Sequence, residues 1–163
     1  MKSILSVLVE NKAGILARTA GLFARRGFNI ESLAVGETAD PRISRMTIVV
    51  DGDQNIVAQV EKQLNKQIDV IKVRVLEADA AVRREAALIK VRVDAPALGQ
   101  ITDIANIMKA SIVDLSPSTA TLEIIDAPER VRQLLDLLKP YGISEMARTG
   151  MVALQKGEGG ISV

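Results

Sequence analysis

Asn11-Lys12-Ala13-Gly14-Ile15-Leu16 stands where a short apolar run gives way to helical spacing, and Asn29-Ile30-Glu31-Ser32 opens the next extended run. These two segments hold the residue types best suited to binding a small ligand. Gly14 has no Cβ, so a ligand can approach the backbone there. The first N–H groups of a helix lack intrahelical partners and sit at the positive end of its dipole, a setting that suits a carboxylate. Asn side chains bind carboxylate or ammonium groups. A purely structural reading stands beside this one: Asn11 caps the helix and Gly14 permits a turn. Asn29 likewise is a turn residue after Gly27 or a ligand contact, since Asn is disfavoured within strands.

The rest of the chain offers little chemistry. Its 163 residues include no Cys and no His. That removes disulfides, thiolate nucleophiles, and the commonest general base and metal ligand. Asp51 and Asp53, around Gly52, read as a turn and a helix cap, with weak binding of a hard cation as the alternative. Glu31 and Arg45 are spaced to pair across neighbouring strands. No catalytic residue and no metal ligand is expected.

Net charge is +1, Arg25-Arg26 and Arg83-Arg84 are isolated pairs, and the aromatics are limited to Phe23, Phe28 and Tyr141. Neither a nucleic-acid partner nor an anionic membrane surface fits that pattern. The apolar start ends at Glu10-Asn11-Lys12, too early for a signal peptide. No apolar run approaches the ~20 residues of a membrane span. A cytoplasmic protein is expected.

Around the candidate segments the sequence repeats one plan. Ile4–Val9 reads as a buried strand, followed by a helical stripe of Ile15, Leu16, Thr19, Leu22 and Phe23. Gly27 suits the left-handed position that ends such a helix. Strands follow over Asn29–Val35 and Ser44–Val50, around a turn at Ala39–Arg42. Asp53 is spaced to cap a helix with a stripe of Ile56, Val57, Val60 and Leu64, and Val70–Val75 is a last strand.

The second half gives the same order. Ile89, Val91 and Val93 alternate with charged residues, then Ile101, Ile104, Ala105 and Met108 recur at helical spacing. Val113–Leu115 and Leu122–Ile124 flank a turn at Ser116-Pro117-Ser118. Asp126-Ala127-Pro128-Glu129 resembles a capping box before Val131, Leu134, Leu135 and Leu138. A strand near Met146–Leu154 closes the unit.

The expected fold is therefore α+β, two tandem ferredoxin-like βαββαβ units. The expected divisions are 1–76, a linker at 77–84, and 85–163 with a frayed Gly-rich tail. Each unit leaves a sheet face and edges to cover, so the chain is expected to form at least a dimer. The two halves also test the first loop. Opposite it, the second half has Ala95-Pro96-Ala97-Leu98-Gly99, with no Asn, one amide donor fewer and a longer spacing to Gly. The pattern is thus not a general need of the fold, which points to ligand binding by the first half.

Asn11-x-x-Gly14-Ile15-Leu16, the run Leu22–Leu33 and Ser44-Arg45-Met46-Thr47 closely resemble the small regulatory subunits of acetolactate synthase (acetohydroxyacid synthase), which begin with an ACT domain. Gly27-Phe28-Asn29-Ile30-Glu31-Ser32-Leu33 is the most specific part, and the resemblance spans essentially the whole chain. It implies that the first unit is an ACT domain in a non-catalytic homodimer. That homodimer would activate a large catalytic subunit and confer feedback inhibition by valine, or by isoleucine or leucine. Thiamine diphosphate, Mg²⁺ and FAD would belong to that catalytic partner and none to this chain. The resemblance further implies an effector site between chains, with Asn11, Gly14, Ile15 and Leu16 of one facing Asn29, Ile30 and Val35 of the other. Ile15, Ile30 and Val35 would then enclose an isopropyl group, whose burial is worth around 2 kcal/mol. The alternatives are a free-standing ACT-domain amino-acid sensor acting on another enzyme or regulator, and a small enzyme on a ferredoxin-like scaffold.

Overall fold

The computed structural model describes residues 2–163. In the first unit β1 (Lys2–Glu10), α1 (Ile15–Arg26), β2 (Ile30–Glu37), β3 (Ile43–Asp51), α2 (Gln54–Leu64) and β4 (Val70–Leu76) follow in the βαββαβ order. The sheet order is β2-β3-β1-β4, with every pair antiparallel. Leu5, Val7 and Val9 face the helices and pack with Ile15, Leu22, Phe23, Val57, Val60 and Leu64. Ile4 and Leu8, on the opposite face of β1, are buried as well. Burial on both faces is why this strand reads as a continuous apolar run rather than an alternating one. Asp53 caps α2, its Oδ1 accepting from the Ile56 N–H at 2.9 Å. Gly27 ends α1 at φ 69°, beside Arg25 and Arg26 in the last turn.

The second unit repeats the order with β5 (Ala81–Arg92), α3 (Ala95–Met108), β6 (Ser111–Leu115), β7 (Thr119–Asp126), α4 (Pro128–Leu138) and β8 (Ile143–Arg148). Its strands are arranged β6-β7-β5-β8. Ala87, Ile89 and Val91 meet Ile101, Ala105 and Met108 of α3 and Val131, Leu134 and Leu138 of α4 in its core. Buried Glu85 takes a two-pronged hydrogen bond from Arg148, with Nη2 at 2.8 Å from Oε2. Carboxylate and guanidinium thereby satisfy each other, and the Arg148 guanidinium is held above its ordinary pKa.

Several expectations meet corrections. Asp126 does not cap α4. Its carboxylate takes the Ala127 N–H and the Arg130 Nε, while Ala127 stands at the cap without a side-chain bond. Leu16 belongs to the helical stripe by spacing but is 48% exposed. The expected linker 77–84 is a one-turn 3₁₀ helix, Ala78–Ala80, running directly into β5.

The chain divides into Met1–Val82 with Met151–Val163 on one side and Arg83–Gly150 on the other. The strand expected near Met146–Leu154 is in fact two, because Gly150 at φ 82° breaks it. β8 ends at Arg148, and β9 (Val152–Gln155) pairs with β5, which begins in the first unit at Ala81 and Val82. Gly157–Gly160 of the expected frayed tail are exposed, but the residues on either side of them lie on the first unit. Ala153 packs with Ile4, Leu76 and Ala81, and Ile161 is buried. Ile89→Ala, at a fully buried position facing both helices of the second unit, is expected to destabilise that unit by about 2–5 kcal/mol. Chemical denaturation compared with the unaltered chain measures it.

Candidate functional site

Gly14 is the N-cap of α1 and holds φ 85°, ψ −7°, a left-handed conformation that glycine adopts without strain. Its carbonyl accepts the Arg18 N–H at 3.0 Å, the first bond of the helix. No side chain caps this helix and its first turn has no acidic residue. Among the described residues the N–H groups of Ile15, Leu16 and Ala17 therefore have no acceptor, and the positive end of the helix dipole lacks a counter-charge. Arg18 stands beside this opening, its Nη2 2.7 Å from Asp69 Oδ2. A Cβ on Gly14 would lie 3.1 Å from Arg18 Nη1 as well as forcing an unfavourable φ.

Asn11 does not cap the helix, so the structural reading of that residue needs correcting. Its N–H donates to Arg42 O at 2.7 Å, and its Nδ2 donates to Pro41 O at 2.8 Å and Glu37 Oε1 at 3.1 Å. The side chain thus fastens the loop before α1 to the turn between β2 and β3. That turn is braced from within. Asp40 accepts from the Arg42 N–H and guanidinium, and Thr38 Oγ1 donates to carbonyls within the turn. The Arg42 hydrogen bonds hold the Asp40 carboxyl down to about 2. Glu37, Pro41 and Arg42 carry no local sign of this role; the strand register, which sets Glu10 opposite Ile43 and Glu37 opposite Ser44, puts them there.

The remaining expected residues fall into three places. Ile15, only 4% exposed, turns its side chain into the first core, so what it offers at the loop is its backbone amide. Leu16 and Val35 are exposed, and the register puts Val35 opposite Met46, on the helix side of the edge strand β2. Asn29 is exposed and makes no hydrogen bond among the described residues, while Ile30 packs against the core. Glu31 pairs with Lys2 at 3.0 Å rather than with Arg45, which instead donates to Ser6 Oγ. Asp51 and Asp53 join no cluster of three possible metal ligands among the described residues. The decisive point is distance. Ile30 aligns with Val50 and Ser3, Glu37 with Ser44 and Val9, so Asn29 and Asn11 stand at opposite ends of the strands. Seven residues of β2 at ~3.3 Å each separate them by about 23 Å. One first unit does not bring them together.

The second unit shows what happens to the same junction without the loop. Two residues, not four, separate β5 from α3, and Asp94 is the N-cap. Its Oδ1 accepts the Ala97 N–H at 2.8 Å, and Pro96 has no N–H to offer. Gly99 lies inside the helix instead of before it. A carboxylate of the chain itself occupies the end of α3 that in α1 is open.

Comparison with known proteins covers both units. Residues 5–72 match the model of the AHAS small subunit-like ACT domain, and residues 84–157 that of the small subunit of acetolactate synthase. The acetolactate synthase small subunit of Mycolicibacterium smegmatis is 52% identical over 157 residues, covering 96% of this chain and 92% of that protein. A probable acetolactate synthase small subunit of Archaeoglobus fulgidus is 50% identical, covering 96% and 98%. The crystal structure of the Thermotoga maritima acetolactate synthase small subunit superposes with a TM-score of 0.90 at 40% identity, over 97% of this chain and 99% of that one.

The Asp40 brace can be tested by its pH dependence. Its carboxyl titrates near 2 when folded, against an ordinary value of 3.8. Its contribution to the turn is therefore present above that ordinary value and lost as the pH falls towards 2. Carboxyl NMR of Asp40 is expected to show a midpoint near 2, with the Arg42 amide shift moving in step; a midpoint at the ordinary value would mean that the pairing is absent in solution.

Proposed function

Because this chain belongs to the acetolactate synthase small-subunit family, and is a non-catalytic regulatory subunit with a catalytic partner, we propose that it activates that partner and makes it sensitive to valine in branched-chain amino-acid biosynthesis. Thiamine diphosphate, Mg²⁺ and FAD are then held by the catalytic subunit, in the cytoplasm.

The single observation that carries the effector reading is the uncapped start of α1. Free amides at a helix N-terminus, reached across a Gly with no Cβ, suit the carboxylate of an amino acid. The 23 Å between the two Asn segments supports a site shared by two chains. Of the two edges of the first sheet, β4 carries Lys72 and Arg74 in its middle, whereas the charges of β2, Glu31 and Glu37, lie towards its ends. Ser32–Gly36 between them has no charge, no proline and no strand on its outer side among the described residues, Ser32 Oγ accepting from the Met151 N–H at 2.8 Å. An edge so unprotected favours pairing. Antiparallel pairing of β2 with a second β2 about a two-fold axis would bring the end of one strand, with Asn11, next to the start of the other, with Asn29. Leu16 and Val35, exposed in one chain, would then flank the aliphatic side chain of the ligand. Effector binding would change how two protomers are coupled, which a catalytic subunit can sense.

Calorimetry on the intact dimer is expected to show valine binding at one molecule per chain, because Asp94 closes the equivalent helix start in the second unit. Two per chain would contradict that assignment, and no binding of any branched-chain amino acid would remove the effector reading. Gly14→Asp forces the unfavourable φ and sets a carboxylate where the ligand's belongs. It is expected to weaken valine binding at least about tenfold. In reconstitution with the catalytic subunit this variant should lose inhibition by valine and keep activation.

A further inference from the structure

The sheet face of the first unit that looks away from α1 and α2 has no part in the effector site. It carries Arg45 of β3 and Lys72 and Arg74 of β4: the register places Arg45 beside Leu8, Leu8 beside Lys72, and Ser6 beside Arg74. Among the described residues none of the three cations is in a salt bridge; each donates to a neutral oxygen. Arg45 reaches Ser6 Oγ at 2.9 Å and Ile161 O at 3.4 Å, Lys72 reaches Ser162 O at 3.1 Å, and Arg74 reaches Gln155 Oε1 at 2.7 Å. Burial without a counter-charge lowers the Arg45 pKa.

The stretch that supplies the Ile161 and Ser162 carbonyls is lightly held. Residues 156–163 contain no helix or strand, and Ile161 is the one buried side chain in them. Lys156 is anchored to Ala80 O and Asp79 O. After it the backbone turns at Gly157, φ 73°, and Gly159 passes so close to Gln155 that a Cβ would lie 2.7 Å from its Nε2. The remaining hold is one apolar side chain and two carbonyl contacts, one of them long.

We infer that residues 156–163 are a displaceable strap over a peptide-docking face, and that an extended, carboxylate-bearing segment of the catalytic subunit takes their place. The face already accommodates a peptide, since the backbone carbonyls of Ile161 and Ser162 lie on it. The present occupant offers Arg45 and Lys72 only neutral carbonyls. A segment with carboxylates at those points would form charge-assisted bonds, roughly twice as strong, and would give the half-buried Arg45 the counter-charge it lacks. The inference rests on the regulatory-subunit reading and adds to it the surface and chemistry of docking.

The chain has no cysteine, so Ser162→Cys gives a single site for a spin label on the full-length protein, and the strap's Ser162 carbonyl is retained. The label is expected to be immobilised in the free protein and to gain mobility when the catalytic subunit binds. Ile161→Ser, which removes the apolar anchor, should tighten binding of the catalytic subunit about tenfold. Arg45→Gln should weaken it about tenfold and reduce its salt dependence, the scale of one hydrogen bond to a charged group. A complex that forms with the label still immobile overturns the strap while leaving the regulatory reading intact. Absence of any complex overturns both. Mobilisation by inorganic phosphate alone would overturn the peptide occupant.

Discussion

A sheet with both its helices on one side has a second side and two edges to cover, and the first unit is organised around that constraint. Its second side is closed by the chain's own residues 151–163 rather than by another helix. That closure makes β1 apolar on both faces and lets Ser6 and Thr47 be buried in the middle of a sheet. It leaves the two edges, β2 and β4, without a further strand beside them among the described residues. With the face covered locally, the edges are what remain for association, and the proposed two-fold contact at β2 would build a pocket that a single copy lacks.

The two helix starts show how one plan takes opposite roles. Both follow a strand, and both must do something with amides that the helix itself cannot satisfy. At α3 the answer is internal: Asp94 lends an oxygen and Pro96 removes a donor. At α1 the answer is postponed, with a longer loop, a left-handed Gly14 and an Asn11 turned away to hold the neighbouring turn. The difference is two residues of loop and one carboxylate. A helix end satisfied from within cannot also wait for a ligand, so the capped start of α3 and the open start of α1, where the effector is proposed to bind, are two outcomes of the same local chemistry.

The repeating order of strands and helices was legible in the sequence because it rests on local signals: apolar period, Gly27 at a helix end, Asp53 three residues before the amide it caps. The resemblance carried by Gly27–Leu33 fixed the family, and the comparisons agree. Residues whose role depends on distant partners were not legible. Asn11 has the type and position of a cap, and only the pairing of β1 with β3 reveals that Pro41 and Arg42 are its partners. Ile15 and Leu16 are adjacent and equally apolar, yet the helix turns one inward and the other out. Asp126 has the spacing of a capping box, but Arg130 and its own neighbour's amide claim its oxygens. The Gly-rich stretch near 157–160 has the composition of a frayed end, and nothing in it announces that Ile161, just beyond, is buried with its carbonyl beside Arg45, more than a hundred positions earlier.

That separation also orders events in time. The carbonyl that Arg45 contacts lies 116 residues further along the chain, so during synthesis the first unit emerges with one sheet face bare while all of the second unit is still to be made. Chains fold in the order they are made, and contacts of such long range form late. A nascent first unit therefore has Ile4, which packs with Ala153, without that cover until translation passes the end of the second unit. A chain cut short of residue 151 lacks that cover altogether, so the closure that shapes the sheet also couples the first unit to synthesis of everything up to it.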